Sequence, residues 1–237
     1  MTKHYAIVPA MFLLSSVALA ENGASVVWHG EAELGFISTS GNTKTETLNT
    51  KAKITNERDR WKHTGLAEAT RISDQEVVTA ERYFLSGKTD YKYTDVSYLF
   101  GLLNYEDDRF SGYHYQASLI AGYGHKLIND DRMKLNAELG AGTRHNETLA
   151  GIKNDEGVVY GAMDMKWTIS KSSSLNEKLT VESGSDATTT KSVTSLQSKI
   201  NSKLASKITY TIKHVSAVPA GVEKTDRETA VTLVYSF

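Results

Sequence analysis

The chain has 237 residues, with 27 Lys and Arg against 28 Asp and Glu, two prolines and no cysteine. The near-zero net charge excludes a basic nucleic-acid binder, so no nucleic-acid partner is expected. The lack of cysteine excludes disulfides, thiolate metal sites and a cysteine nucleophile. Two prolines favour long regular elements, and a single domain of this size fits a barrel, a sandwich or a larger α/β unit.

The first twenty residues are predicted to be an export signal. Lys3 gives a positive start, residues 6–19 form an apolar stretch, and small residues precede a cleavage point between Ala20 and Glu21. A membrane-anchoring helix is the weaker interpretation, because the apolar run is shorter than the roughly 20 residues that span a bilayer. This divides the chain into a signal peptide, 1–20, and a barrel domain, 21–237.

Apolar and polar residues alternate with period two along the mature chain, which predicts β-strands rather than helices. In the last segment, for example, Val231, Leu233 and Tyr235 share one face, while Thr232 and Ser236 lie on the other. We predict twelve strands, with ends set to within ~2–4 residues. In chain order they are 26–37, 45–57, 61–71, 80–92, 96–105, 113–125, 132–144, 158–169, 174–184, 192–203, 207–216 and 228–237.

The predicted connections alternate in length. Those after even-numbered strands are tight, such as residues 58–60 and 93–95, and most after odd-numbered strands are longer and polar, such as residues 106–112 and 145–157. Outer-membrane barrels have short periplasmic turns and longer outer loops. The pattern therefore predicts an all-β fold, a transmembrane up-and-down antiparallel β-barrel of about 12 strands, with both termini on the periplasmic side.

Aromatic residues gather near both ends of the predicted strands. A soluble sandwich would also alternate, but it has no reason to place aromatic rings in two outer belts, which form where rings meet the lipid interfaces. Phe36, Tyr83, Tyr113 and Tyr115 fall near the outer ends. The predicted membrane-interface aromatics near the periplasmic side are Trp28, Trp61, Tyr91, Tyr123, Trp167, Tyr210, Tyr235 and Phe237.

The faces opposite the apolar ones carry charges of both signs. A Lys or Arg facing the lipid midplane would cost ~2–4 kcal/mol, so these faces are predicted to line the lumen. Lysines from the second, tenth and eleventh strands could form a positive stripe facing Glu31 and Glu33. The predicted lumen-lining candidates are Glu31, Glu33, Lys51, Lys53, Arg82, Lys88, Asp90, Glu138, Asp164, Lys166, Lys199, Lys203 and Lys213.

Strand number leaves two interpretations of the lumen open. Barrels of about eight strands are filled by side chains, and barrels of about sixteen hold an aqueous channel. With about twelve, a narrow pore in which opposed charges tune ion selectivity is possible. A closed, salt-bridged interior that only stabilises the barrel is equally possible.

An enzyme is not expected, and we assign no catalytic residue. His214 and Ser216 share one strand face, and a His-x-Ser pair near the outer rim is similar to the arrangement in outer-membrane phospholipases. Nucleophilic catalysis also needs an orienting group and an oxyanion site, which the neighbouring Thr229 and Val231 do not supply. A membrane-facing lipid hydrolase is therefore the minor alternative.

No metal and no cofactor are expected. The sequence lacks fixed ligand spacing such as His-Glu-x-x-His, and it lacks a Gly-rich phosphate loop. Its closely spaced glycines lie inside predicted strands, where they permit curvature or close packing. They are Gly122, Gly124, Gly140 and Gly142.

Two segments resemble a known family. The stretch at residues 30–54 contains a Leu-Gly-Phe strand end at residues 34–36, followed by Ser-Gly-Asn-Thr at residues 40–43, and the chain closes with Val-Tyr-Ser-Phe at residues 234–237. These segments resemble the salt-induced outer-membrane protein family, first catalogued as a domain of unknown function. The resemblance implies an outer-membrane β-barrel and brings no established activity and no catalytic residues.

We therefore expect a protein of the outer membrane of a Gram-negative bacterium, linked to osmotic or salt stress. Its activity is predicted to be that of a narrow channel for small solutes or ions, or of an envelope protein. A closed structural barrel, or one that presents loops to partners, is the alternative. Expected partners are outer-membrane lipid, lipopolysaccharide and, through the C-terminal strand, the barrel-insertion machinery. The protein is expected to be a monomer.

Overall fold

The computed structural model describes residues 27–39, 45–75, 77–219 and 221–237, which form twelve antiparallel strands closed into one barrel. All twelve predicted strands and the predicted fold class are confirmed. The predicted signal peptide and the Ser-Gly-Asn-Thr segment lie outside the described residues. The strands are β1 (Val27–Thr39), β2 (Thr45–Arg58), β3 (Trp61–Asp74), β4 (Val77–Lys92), β5 (Ser97–Asp108), β6 (Tyr113–Asn129), β7 (Met133–Thr148), β8 (Lys153–Thr168), β9 (Ser173–Gly184), β10 (Thr188–Lys199), β11 (Leu204–Val215) and β12 (Thr225–Ser236).

Each strand pairs with its chain neighbours, and β1 pairs with β12 to close the barrel. The start of β1 and the end of β12 therefore lie at one end, together with the connections after even-numbered strands, and we call this the terminal end. The connections after odd-numbered strands lie at the other end, which we call the distal end. The described residues contain no helix long and apolar enough to span a bilayer.

The strands continue into several segments that were predicted as long loops. The predicted connection at residues 145–157 is mostly strand, because β7 and β8 stay paired as far as Glu147 and Lys153 and turn through residues 149–152. Polar residues in a hairpin outside the membrane can keep the backbone ladder satisfied without burying apolar surface. The predicted alternation of short and long connections is therefore largely wrong for the described residues, although residues 216–224 do form a long connection.

The outer face is apolar and exposed. Leu139 is 70 % exposed, and Leu119 and Leu34 are 61 % and 58 % exposed. An apolar surface this extensive, on every side of a barrel, is suited to lipid rather than water. Near the terminal end the register also places the carboxylate of Glu177 outward, where it accepts a 2.7 Å hydrogen bond from Ser192 Oγ and another from Thr194.

Aromatic rings mark both ends of the outer face. Phe36 and Tyr83 are exposed near the distal end. At the terminal end, Trp61 packs on Tyr91 with ring centroids 4.9 Å apart. Trp28, Tyr123, Trp167, Tyr235 and Phe237 are also exposed near the terminal end. Tyr210 differs from its prediction as a rim residue, since it lies in the middle of β11.

The inner face holds an apolar cluster on one wall. Tyr98, Phe100 and Leu102 of β5 pack with buried residues of β6 and β8. The rings of Phe100 and Tyr160 meet edge to face, with centroids 5.9 Å apart. The aromatic rings of β5 pack directly against glycines of β6 and β7, which agrees with the predicted packing role of glycine in these strands. The remaining members of the cluster are Ile120, Val158, Tyr160 and Ala162.

Candidate pore lining

The register fixes where the predicted lumen residues lie. Twelve of the thirteen predicted residues lie on the inward-facing side of their strands, which is the same side as the buried apolar cluster. Lys203 is the exception and corrects the prediction. It lies exposed in the turn at residues 200–203, because β10 ends at Lys199 rather than continuing to residue 203. The twelve inward residues are Glu31, Glu33, Lys51, Lys53, Arg82, Lys88, Asp90, Glu138, Asp164, Lys166, Lys199 and Lys213.

Side chains from opposite walls meet across the lumen. Lys213 of β11 donates to Glu106 of β5, which lies six strands away and therefore diametrically opposite. The Lys191 ammonium of β10 lies 5.3 Å from the centre of the Phe84 ring on β4, again six strands away. These two contacts show that the barrel is narrow at this level.

A third contact spans the same region. Arg82 Nη2 of β4 lies 3.0 Å from Glu228 Oε2 of β12, four strands away. We call the pairs Lys213–Glu106 and Arg82–Glu228 the transverse pairs. Their side chains are only 10–23 % exposed, so the charges are largely shielded from bulk solvent.

Other inward charges pair along or near one wall. Lys51 Nζ lies 2.7 Å from Glu68 Oε1, and Lys207 Nζ lies 2.8 Å from Glu33 Oε1. The predicted positive stripe facing Glu31 and Glu33 is therefore not formed as expected, because Lys51 and Lys213 are neutralised by other carboxylates.

Lys88 connects the charged and apolar parts of the lumen. Its ammonium contacts Glu138 and lies 3.1 Å from Asp90 Oδ1. It also lies 5.3 Å and 5.0 Å from the ring centres of Tyr98 and Phe100, within the range of cation–π attraction. The Tyr98 hydroxyl donates a 2.7 Å hydrogen bond to Glu138.

Arg144 anchors the distal part of the lumen. Its Nε donates to Glu156 at 2.8 Å, its Nη2 donates to the carbonyl of Ala187 at 2.7 Å, and its Nη1 lies 3.4 Å from Glu182. A cavity of about 270 Å³ opens beside this arginine between β6, β7, β8 and β10.

Lysines without an ion pair collect at the terminal end. Within the described part of the chain, seven inward lysines there form no salt bridge, and the inward acids Glu31 and Asp164 form none either. Lys191, farther inside, has only its ring contact with Phe84. The seven lysines are Lys53, Lys62, Lys126, Lys134, Lys166, Lys178 and Lys199.

The His214–Ser216 pair does not have the arrangement of a nucleophile and its base. His214 Nδ1 is hydrogen-bonded to Thr225 Oγ1 at 2.9 Å. Ser216 Oγ instead accepts a 2.9 Å hydrogen bond from the backbone N–H of Thr188. Both side chains therefore have structural partners at the distal rim.

Several lumen residues were missed by sequence reasoning. Glu106 and Lys191 fell at the edges of predicted loops, and Glu228 and Lys207 stood at the starts of predicted strands. Extending the period-two alternation by one residue beyond the predicted strand ends would have placed Glu106 and Lys191 on the inward face, and the alternation within the predicted strands already places Glu228 and Lys207 there. Their partners could not have been found this way, because pairing across the lumen depends on the shape of the closed barrel.

The closed antiparallel fold is that of the outer-membrane β-barrel class. A solved structure of the NanC porin is similar, with a TM-score of 0.54 and 10% sequence identity over 88% of this chain and 98% of that chain. A KdgM porin structure aligns with a TM-score of 0.48 and 12% identity over 89% of this chain and 99% of that one.

The chain belongs to the family described as "Protein of unknown function, DUF481", whose match covers residues 32–237. This confirms the resemblance drawn from the sequence. It is also 28% identical over 212 residues to "Uncharacterized protein YdiY" of Escherichia coli (strain K12), covering 88% of this chain and 83% of that protein.

Proposed function

We propose that this protein is a narrow anion-conducting channel of the outer membrane, held closed by the transverse pairs. The observation that carries the proposal is the excess of lysines without an ion pair among the described inward residues at the terminal end: seven lysines against Glu31 and Asp164. Fixed positive charge in a confined, hydrated passage raises the local concentration of anions and repels cations.

The charged lining favours a hydrated passage over a purely structural interior. Burying ion pairs costs desolvation that the Coulomb attraction often fails to recover, and apolar replacements of similar volume are frequently as stable. A barrel selected only for stability would extend the apolar cluster around Phe100 across the lumen. That cluster covers only the wall formed by β5, β6 and β8.

We assign the terminal end to the periplasm. The even strand number places both termini on one side, and outer-membrane barrels are inserted with their termini in the periplasm. Export through a signal peptide cleaved between Ala20 and Glu21 is part of this proposal, as are insertion directed by the C-terminal strand, contact with lipid and lipopolysaccharide, and a monomeric state. The apolar outer face supports the membrane location.

The transverse pairs would make the proposed channel sensitive to salt concentration. Ionic strength screens exposed charges and, less strongly, partly buried ones. We propose that raised salt weakens these pairs and favours the open lumen, which would connect the channel with osmotic stress.

Single-channel recording in planar bilayers tests the channel. In a KCl gradient, the wild-type protein should show small, discrete, anion-selective steps. The double variant Glu106→Gln/Glu228→Gln should show larger steps with stronger anion selectivity, because it breaks both transverse pairs and leaves Lys213 and Arg82 without their partners.

Asp131→Asn is the control for loss of a carboxylate outside the lumen, since Asp131 lies exposed in the turn between β6 and β7. It should behave as the wild type does. A folded double variant that conducts nothing, or conducts cations in preference to anions, would overturn the channel proposal. The silent result would favour a closed barrel that stabilises the envelope.

A further inference from the structure

The lysines at the terminal end are not evenly spread. Lys134 of β7 and Lys166 of β8 are direct register partners on the inward face. Like charges placed directly opposite each other on neighbouring strands destabilise the pair. Neither lysine forms an ion pair with any described residue, although Asp164 lies two residues away on the same strand.

A small cavity lies beside this pair. It has a volume of about 100 Å³ and is lined by side chains of β8, β9 and β10 and by the turn between β8 and β9. Three of its residues are lysines, and the others offer hydroxyl and amide groups. The lining consists of Lys166, Thr168, Ser170, Lys171, Ser172, Ser173, Ser174, Gln197 and Lys199.

The serine turn that closes the cavity is held by its own hydrogen bonds. Ser170 Oγ accepts from the backbone N–H groups of Ser172 and Ser173 at 3.2 Å and 3.1 Å. The backbone N–H of Lys199 donates to the carbonyl of Ser172 at 2.7 Å, which fixes the turn against β10. The turn that forms the cavity wall is therefore fixed by hydrogen bonds, and no lining residue carries a carboxylate.

The cavity has the size and chemistry of a site for one oxyanion group. A water molecule takes about 30 Å³ of liquid volume, so the space is large enough for a phosphate or a similar group. Lysine binds phosphate as a point charge, and hydroxyl and amide donors supply directed hydrogen bonds.

We infer that this cavity is a phosphate-binding pocket at the mouth of the barrel, formed by Lys166, Lys171 and Lys199 with the serine turn. The occupant is a single phosphate group, supplied by a free anion or by a lipid headgroup. The role of this pocket as an entry site for anions rests on the proposed channel function, whereas phosphate binding by the pocket does not.

The test is a titration of the folded full chain in neutral detergent with inorganic phosphate, at constant ionic strength set with KCl. Binding is read by calorimetry and by the line width of the phosphate ³¹P resonance. Lys166→Gln and Lys199→Gln should each weaken phosphate binding about tenfold, because each removes one charge-assisted contact.

Lys53→Gln is the matched control. Lys53 is also an exposed, unpaired, inward lysine of the terminal end, but it does not line the cavity. Its substitution should leave phosphate affinity within about twofold of the wild type, as expected for a diffuse electrostatic effect. Equal losses in all three variants, or no preference of the wild type for phosphate over chloride, would overturn the pocket.

Short-chain phosphatidylglycerol distinguishes the two sources. Displacement of bound phosphate by this lipid, lost in Lys166→Gln, assigns a headgroup to the pocket, and failure to displace assigns free anions. Bilayer recording separates this inference from the channel proposal. Phosphate binding by a protein that never conducts would overturn the channel alone, and anion conductance without phosphate binding would overturn the pocket alone.

Discussion

Single glycines determine how closely β6 and β7 approach each other. A Cβ atom added at Gly142 would collide with the backbone carbonyl of Leu119, and one added at Gly122 would lie 2.7 Å from Phe100 Cζ as well as against the backbone of β7. Backbone atoms cannot move aside as a flexible side chain can. These glycines therefore permit both the close strand pairing and the seating of the Phe100 ring.

We expect Gly142→Ala to destabilise the barrel by about 1–3 kcal/mol, the usual cost of overpacking. The control is Gly161→Ala, because a Cβ there would lie 3.8 Å from its nearest neighbour, Leu139 Cδ2. Urea titration of the folded protein in lipid vesicles, followed by the gel shift between folded and unfolded forms, measures both. Equal stability of the two variants would contradict this account.

Phe100 gives a second prediction at this scale. Its side chain is 4 % exposed and packs against Tyr160 and beneath Lys88. Phe100→Ala should lower the free energy of unfolding by about 3 kcal/mol, because it removes buried apolar surface and leaves a cavity. The same urea titration measures the change, with Phe36→Ala as a control on the lipid-facing surface, where Phe36 is 63 % exposed. A smaller loss for Phe100→Ala than for Phe36→Ala would mean that the cluster is not a packed core.

At the scale of the strand, alternation was enough to predict all twelve strands and the inward position of twelve of the thirteen predicted lumen residues. The reason is physical: a one-residue slip would turn an entire apolar face from lipid to lumen, so the pattern is strongly constrained in the membrane. Strand ends lack this constraint, because polar hairpins outside the bilayer pair equally well in water. Glu106 and Lys191 were missed for that reason.

The opposite faces of β7 should respond differently to the same substitution. Leu139 lies on the outer face, and Asn136 lies on the inner face near the terminal end. Leu139→Arg should lower the free energy of unfolding by about 2–4 kcal/mol, the cost of an arginine facing the bilayer midplane. Asn136→Arg should lower the free energy of unfolding far less, because the arginine side chain can remain hydrated in the lumen. Folding into vesicles at a series of urea concentrations measures both, and similar losses would contradict the assigned faces.

At the scale of the molecule, the contacts that narrow the lumen link residues far apart in the sequence. Glu106 and Lys213 are separated by 107 positions, and Arg82 and Glu228 by 146. Alternation predicts that each of these side chains points inward, but it does not specify which walls come close. The narrowing of the lumen therefore follows from the barrel's shape, which the sequence pattern does not encode locally.

Orientation in the membrane is a whole-molecule prediction. An epitope tag inserted in the turn at residues 149–152 should be reached by antibody on intact cells, whereas a tag between Asp130 and Asp131 should be reached only after the outer membrane is opened. Both sites lie in exposed connections at opposite ends of the same strand, β7. The reverse pattern would put the unpaired lysines at the cell surface rather than in the periplasm.

The salt dependence of the conductance tests whether the transverse pairs control the proposed channel. The Debye length falls from about 10 Å at 0.1 M to about 3 Å at 1 M, so added salt should weaken the transverse pairs to the extent that they meet solvent. The conductance of the wild-type protein should therefore rise more steeply than the conductivity of the solution. In Glu106→Gln/Glu228→Gln, whose pairs are already broken, conductance should follow conductivity. Recordings across several KCl concentrations compare the two slopes. Parallel slopes would mean that the transverse pairs do not control opening, even if both proteins conduct.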